Sequence, residues 1–279
     1  MSIEKIKFSV AMSVYGKDDP NCLDVALKSI TEDQTLMPDE IVLVEDGPVS
    51  TELEDVIAAY DARYAGLFKI IKLEKNQGLG NALKVAVKNA SYEYIARMDS
   101  DDISLPHRFE EQVSYVSEHP ETDIVGGDIS EFIDTPDNIV GNRRVPQSHE
   151  QVTEYMKRRC AINHVTAMFK KASVERVGNY DDWFWNEDYF LWIRMMENSC
   201  IFANTGTILV NVRVGADMYK RRGGKKYFES EKNLQKYMLN KKIITRGTYM
   251  MNVLKRWVVQ VAMPNFVRGW VFRTFARTK

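Results

Sequence analysis

The run Asp99-Ser100-Asp101-Asp102 follows directly on an apolar segment. Clustered carboxylates offer only oxygen ligands, which suit Mg2+ or Mn2+, ions that keep several waters and bind a substrate's phosphates at the same time. The chemistry so served is stabilisation of a departing diphosphate. The competing reading is a solvated turn, because Asp and Ser are ordinary turn residues. Glu45-Asp46-Gly47 is a second acidic group. Its carboxylates can accept hydrogen bonds from a base or a ribose, although Asp-Gly is also a common turn. Trp183, Trp185, Glu187 and Asp188 form a third. Two indoles beside paired acids at the start of a helix suit a sugar-binding rim with a general base, kept ionised by the helix N-terminus. The alternative there is first-turn acids complementing the helix dipole above packed tryptophans. Tyr15 offers either a flat stacking surface or the rim of the core. His164, beside Asn163, reads as a structural hydrogen-bonding histidine, and His107, His119 and His149 show no metal-ligand spacing.

These groups need elements to position them. Phe8 to Tyr15 reads as a buried strand, and Glu40 to Asp46, Phe68 to Glu74, Tyr92 to Asp99 and Thr122 to Asp128 read as four further strands. Between the first four and after the fourth, apolar residues recur at helical spacing: Leu23, Leu27 and Ile30; then Leu53, Ile57 and Tyr60; then Leu79, Leu83 and Val87; then Phe109, Val113 and Val116. Thr51 and Glu54 form a capping box for the second helix. Strands separated by single amphipathic helices predict an α/β fold, a Rossmann-like and mainly parallel sheet with helices on both faces. In such sheets ligands sit at the carboxyl ends of the strands, where strand order reverses. Those ends are Ser13-Val14-Tyr15, Glu45-Asp46-Gly47, Glu74-Lys75-Asn76 and the Asp99 run. Gly78-Leu79-Gly80 opens a helix after a strand, but Leu83 stands where a dinucleotide fingerprint needs its third glycine. Asn81 is the one side chain of interest there. Further on, a helix near His149 to Arg158, a strand His164 to Phe169 and a strand Ile208 to Val214 are expected.

The chain has 279 residues, 44% of them hydrophobic and 28% charged, enough to bury a sizeable core and too apolar for disorder. Cys22, Cys160 and Cys200 lie far apart with no C-x-x-C, which argues against a disulfide framework or a thiolate zinc cage. The beginning has no signal-peptide pattern and no run of about 18 apolar residues occurs, so a cytosol-facing protein is expected. The net charge of -1 hides an asymmetry. Residues 232–279 hold 11 Lys plus Arg and no acid, whereas the 39 acids before them face 27 Lys plus Arg. Leu254, Trp257, Val258 and Val261, then Phe266 and Trp270, recur at helical spacing, with Arg268, Arg273 and Arg277 among the second set. Such a basic, aromatic end reads as two or three helices that either lie on an anionic membrane surface through residues 243–279 or pack on the domain. Four cations at roughly 1 kcal/mol each would give peripheral, reversible, millimolar-scale attachment. Nucleic acid is the rival partner for a basic tail, but no nucleic-acid motif accompanies it.

Taken in order, FSVAMSVYGKD, DEIVLVEDGP, NQGLGNALKVAV, YIARMDSDDISLPHRFEEQV, NHVTAMFKKASVERVGNY and NEDYFLWIRM resemble a family 2 glycosyltransferase of the GT-A fold. They cover most of residues 8 to 200, and the order and spacing of six segments is far more specific than any one motif. The resemblance is greatest to the capsule and exopolysaccharide branch, including enzymes of amylovoran biosynthesis. It implies a metal-dependent (Mn2+ or Mg2+), inverting transfer of a hexose, galactose or an N-acetylhexosamine, from a UDP-sugar donor. The implied acceptor is a saccharide, lipid-linked through a polyprenyl diphosphate. By that resemblance Asp46 contacts uracil, Tyr15 flanks it, Asp99 touches ribose and Asp101 ligates the metal. Asp188 is the base, with Glu187 and Trp185 lining the acceptor or sugar side. His164 falls in an N-H-x-T segment where the family pattern often has Pro and this chain has Val165. Ser13 and Asn81 complete the candidate substrate-binding set. The expected division is a catalytic domain over residues 1–215, its nucleotide-sugar half about 1–128 and its acceptor half about 129–215, and a basic helical tail over 216–279. The protein is expected at the inner face of the cytoplasmic membrane.

Other classes leave different signatures. A sugar-1-phosphate nucleotidyltransferase has a glycine- and arginine-rich phosphate loop after its first strand, where this chain has VYGKDDP. A glycosidase also uses two carboxylates but needs neither UDP nor a divalent ion. A non-catalytic nucleotide-sugar-binding scaffold would keep the fold without needing both Asp101 and Asp188.

Overall fold

The sheet is wound outward from β1 (Phe8–Val14) in a computed structural model that describes residues 6–215 and 224–263. β1 pairs in parallel with β2 (Glu40–Glu45) on one side and β4 (Tyr94–Met98) on the other, and β2 pairs in parallel with β3 (Phe68–Lys72). Val14 lies opposite Glu45, and Met12 opposite Met98. The three strands therefore end close to one level, and Tyr15, Asp46 and Asp99 follow along one edge. Strand order reverses between β1 and β4, which makes that edge the place where a doubly wound sheet receives its ligand.

The helices are α1 (Pro20–Ser29), α2 (Thr51–Arg63), α3 (Leu79–Asn89), α4 (Arg108–Glu118), α5 (His149–Met156), α6 (Lys171–Arg176), α7 (Glu187–Glu197), α8 (Lys225–Asn240) and α9 (Arg246–Trp257). Successive strand residues point to opposite faces. Val10 and Met12 accordingly join a cluster with Leu23, Leu27 and Phe109, while Ala11, Val42 and Val44 join another with Leu83, Val87 and Trp192. Burying each such large side chain contributes about 1.5–3 kcal/mol. Leu234 and Met238 of α8 belong to the second cluster, so this helix is part of the same core as the sheet.

Several elements differ from the sequence expectation. Ser50, not Thr51, caps α2: its backbone is extended and its hydroxyl accepts from the Leu53 N–H at 3.3 Å, leaving Thr51 as the first helical residue. The fifth predicted strand, β6 (Ile124–Phe132), does not lie beside β4. β8 (Met168–Lys170) is inserted between them, antiparallel to both, with Phe169 opposite Ile95 on one side and Ile124 on the other. The stretch from His164 is a 3-10 turn before it becomes this strand. Thr166 closes that turn, donating to the Asn163 carbonyl at 2.9 Å while accepting from the Gly127 N–H at 3.0 Å. β9 (Phe202–Arg213) starts earlier than expected and runs parallel to β6. Two short strands, β5 (Ile103–Ser104) and β7 (Ile139–Arg143), pair with β9 and β6.

Asn252 is the buried residue of α9; its amide donates to the Lys157 carbonyl at 2.9 Å and to Gln235 of α8 at 2.8 Å. Outward, α9 leaves Met250, Met251, Leu254 and Trp257 exposed, Met250 at 69% and Trp257 at 46%. Phe266, Arg268, Trp270, Arg273 and Arg277 lie outside the described residues. Among the described residues no helix is long and apolar enough to cross a membrane.

Candidate active site

A cleft of about 500 Å3 opens along the carboxyl edge of β1, β2 and β4. Ser13, Tyr15, Asp46, Asp99 and Asp101 line it from the sheet, and Trp185 and Glu187 close it from the opposite side. Gly47 makes this edge possible. Its φ is +82°, and a Cβ there would stand 2.5 Å from the Asn76 backbone nitrogen, so only glycine lets the β2 and β3 loops touch. The Asp46 carboxylate then accepts the N–H groups of Gln77 at 2.7 Å and Gly78 at 2.9 Å, fixing the entry into α3. Each oxygen retains one acceptor site for a ligand.

Asp18 ties two of these loops together. One of its oxygens accepts from the Tyr15 N–H at 3.1 Å and from the Ser100 hydroxyl at 2.7 Å. Behind the acids lies Arg97, buried in β4, whose guanidinium donates to Asp99. Burial, then repulsion from Asp99 and Asp18, pushes Asp101 up to about 6. Burial also raises Asp18. Asp102 faces inward, accepting from the Arg213 N–H at 2.8 Å, and burial holds it well above the usual carboxylate range.

Among the described residues no group of three or more His, Cys, Asp and Glu side chains forms a ready metal cage. The acids nevertheless fit a divalent ion that brings most of its shell with it. Crowded carboxylates that resist full ionisation are relieved by a cation. Mg2+ is commonly held by one or two carboxylates plus substrate phosphates and water. Asp101, with Asp99 beside it, supplies oxygens of that kind at the cleft.

Across Trp185 lies a second cavity of about 350 Å3. Trp185 lines both, and its φ of +55° is unusual for a bulky residue. The adjacent acids part company here: Glu187 lines the first cleft and Asp188 the second cavity. Helix α8 holds this loop. Asn186 donates to the Ser230 hydroxyl at 3.1 Å, and that hydroxyl donates to the Phe184 carbonyl at 2.6 Å. Gly80 lets α3 approach from the other side; a Cβ there would stand 3.0 Å from the Asp181 carbonyl oxygen. Glu187 is pushed up to about 7 by burial and then by Asp188. Burial also raises Asp188, opposed by the Tyr189 N–H bond at 2.7 Å and by the charges of Arg97 and Arg143. A carboxylate of raised basicity facing a cavity is suited to take a proton from a hydroxyl.

Two of the sequence candidates line neither cavity. Asn81 donates to the Gln77 carbonyl at 2.9 Å and steadies the start of α3. His164 shares a 2.8 Å hydrogen bond with the Tyr180 hydroxyl, and burial keeps its ring well below the usual histidine range, hence neutral. The sequence reading missed Arg97, Asp18 and Arg143. For Arg97 a signal existed: it stands two residues before Asp99 at the end of a strand, and period two puts both on one face.

Two relatives and one solved structure bear on this geometry. The chain is 35% identical over 277 residues to the Escherichia coli UDP-Gal:alpha-D-GlcNAc-diphosphoundecaprenol beta-1,3-galactosyltransferase, covering 99% of both chains. It is 39% identical over 234 residues to the amylovoran biosynthesis glycosyltransferase AmsE of Erwinia amylovora, covering 83% of this chain and 85% of that one. The S. aureus TarS 1–349 structure in complex with UDP-GlcNAc superposes with a TM-score of 0.65 at 18% identity, over 91% of this chain and 73% of that one, a likeness of fold. The GT-A architecture expected from the sequence is thus the observed one. Residues 9–177 match the family described as Glycosyl transferase family 2, and the chain belongs to that family.

Proposed function

We propose that the protein transfers a hexose, galactose or an N-acetylhexosamine, with inversion from a UDP-sugar to a saccharide carried on a polyprenyl diphosphate, in the building of a bacterial surface polysaccharide. The observation that carries this reading is the parting of Glu187 and Asp188 onto two cavities that share Trp185. The acid-lined cleft suits the donor, with Tyr15 and Asp46 toward the base, Asp99 toward the ribose and Asp101 toward the diphosphate. A divalent ion, Mn2+ or Mg2+, when bound there, offsets the charge that develops on the leaving UDP. Asp188 holds the acceptor hydroxyl from the other side and removes its proton as the oxygen attacks the anomeric carbon opposite the departing phosphate. Tryptophan beside both suits the apolar face of a sugar ring. The relative that is named for galactose transfer to a diphosphoundecaprenol-linked sugar supports the choice of donor and acceptor class.

The exposed row Met250, Met251, Leu254 and Trp257 suits peripheral attachment of α9 to the inner face of the cytoplasmic membrane, where such an acceptor resides. The decisive experiment is a titration with UDP, GDP, dTDP, CMP and NAD, with and without Mn2+, followed by transfer assays from UDP-sugars to diphosphate-linked acceptors. UDP-selective, metal-dependent binding with product formation is expected. Absence of nucleotide binding would leave the acids a solvated turn and the fold a scaffold.

A further inference from the structure

The second cavity has a chemistry that a neutral sugar does not require. Arg143 at the end of β7, Arg158 and Arg159 after α5, and Lys255 and Arg256 of α9 all line it, against two carboxylates, Asp188 and Glu231. Five cations from three separated stretches of chain converge on one cavity, in a protein whose other functional cleft is acidic. Two are held in place. Arg143 donates to the Cys160 carbonyl at 2.6 Å, and Arg256 pairs with Glu231 while donating to the Arg158 carbonyl at 2.9 Å. Arg158 is mostly exposed and has Glu154 at 3.7 Å. Among the described residues no carboxylate forms an ion pair with Arg159 or Lys255. Gathering like charges is unfavourable unless an anion joins them.

We infer that this cavity is the binding site for the diphosphate of the lipid-linked acceptor. The inference rests on the glycosyltransferase reading above and adds the place where the acceptor is held. Guanidinium groups match phosphate oxygens in bidentate geometry, and several together match a diphosphate. Asp188 lines the same cavity, so an acceptor whose anionic end sits on the arginines presents its sugar hydroxyls to the base. The donor's own diphosphate is served by the other cleft, where Asp99 and Asp101 stand. Helix α9 links the cavity to the lipid: Lys255 and Arg256 line the cavity, while Leu254 and Trp257 on either side of them in sequence are exposed apolar groups. A hydrocarbon chain leaving the diphosphate meets that row.

The test uses the whole protein and a water-soluble probe, N-acetylglucosamine α-linked to a short alkyl diphosphate, compared with the neutral alkyl glycoside. Calorimetry should show the diphosphate probe binding at least about tenfold more tightly than the neutral one. Arg159→Ala and Lys255→Ala should each weaken the diphosphate probe by about tenfold, the loss expected for a charge-assisted contact. Affinity for UDP with Mn2+ should stay within about twofold of wild type, which also reports an intact fold. Equal binding of both probes by the wild type, or undiminished diphosphate binding by both variants, would overturn the assignment. So would variants that lose binding to anionic vesicles yet keep the soluble probe, since the cations would then serve lipid headgroups. Arginine-dependent binding of the probe without transfer from any UDP-sugar would defeat the activity reading while supporting the diphosphate site.

Discussion

The two cavities that meet at Trp185 are built by opposite means. The acid-lined cleft is assembled from the ends of three neighbouring parallel strands, β1, β2 and β4, and its charge is negative. The second cavity draws on β7, the turn after α5, the start of α7 and helices α8 and α9, and its charge is positive. In the first, the register of a sheet places the side chains, so short motifs at strand ends are enough. In the second, helices packed from far along the chain place them. A site of that kind can differ among proteins with the same sheet, and on the function proposed above it is where the choice of acceptor would be made.

The largest effect should come from the carboxylate that lines the second cavity beside Trp185. Asp188→Asn is expected to lower the transfer rate by about 10²- to 10⁴-fold while UDP binding persists. Near-normal transfer would remove Asp188 from the role of base and with it the division of labour between the cavities. Next is the buried counter-charge. Arg97→Met leaves Asp99 without its guanidinium, and breaking such a pair is expected to cost about 3 kcal/mol of stability, measured by urea unfolding. The loss should be at the low end of the range for buried pairs because Asp99 is 32% exposed. A variant as stable as wild type would mean that the acids of the first cleft need no internal counter-ion.

Asp101→Ala should weaken UDP binding in Mn2+ by about tenfold and leave metal-free binding unchanged, a donor-side lesion with no acceptor counterpart. Unchanged affinity with Mn2+ present would dissociate the acid run from the ion. The smallest effect concerns pH. Glu187 is raised from 4.5 to about 7 in the folded protein, so the folded state holds its proton where the unfolded chain has released it. Its contribution to stability is present below pH 4.5 and is lost as pH rises through about 7. In Glu187→Gln the decline in melting temperature over that interval should be shallower. An unchanged slope would show that Glu187 is solvated as an ordinary carboxylate, and that the cleft is wetter than its lining suggests.

Much of this molecule was legible before folding. Four strands with helices between them, the acids at their ends and the paired acids opening α7 follow from apolar periodicity and from residue chemistry, which are local properties. The family resemblance followed from six such segments in order. Less local features were not legible. Asn81 looked like a site residue by position, yet its amide donates to the Gln77 carbonyl, whereas His164 makes the structural hydrogen bond its residue type suggested, with a partner, the Tyr180 hydroxyl, that no local pattern names. The insertion of β8 between β4 and β6 depends on strand pairing across some seventy residues, as Ile95 with Phe169 shows, and periodicity does not encode pairing partners. The basic end of the chain announced its charge in the sequence. Only the packing of α8 and α9 decided where part of that charge goes: Leu234 and Met238 enter the core, Asn252 anchors α9, and Lys255 and Arg256 are thereby carried to the cavity that holds Asp188. Local sequence sets which residues can form strands, helices and charged groups; burial of apolar faces against distant partners sets which of those groups meet.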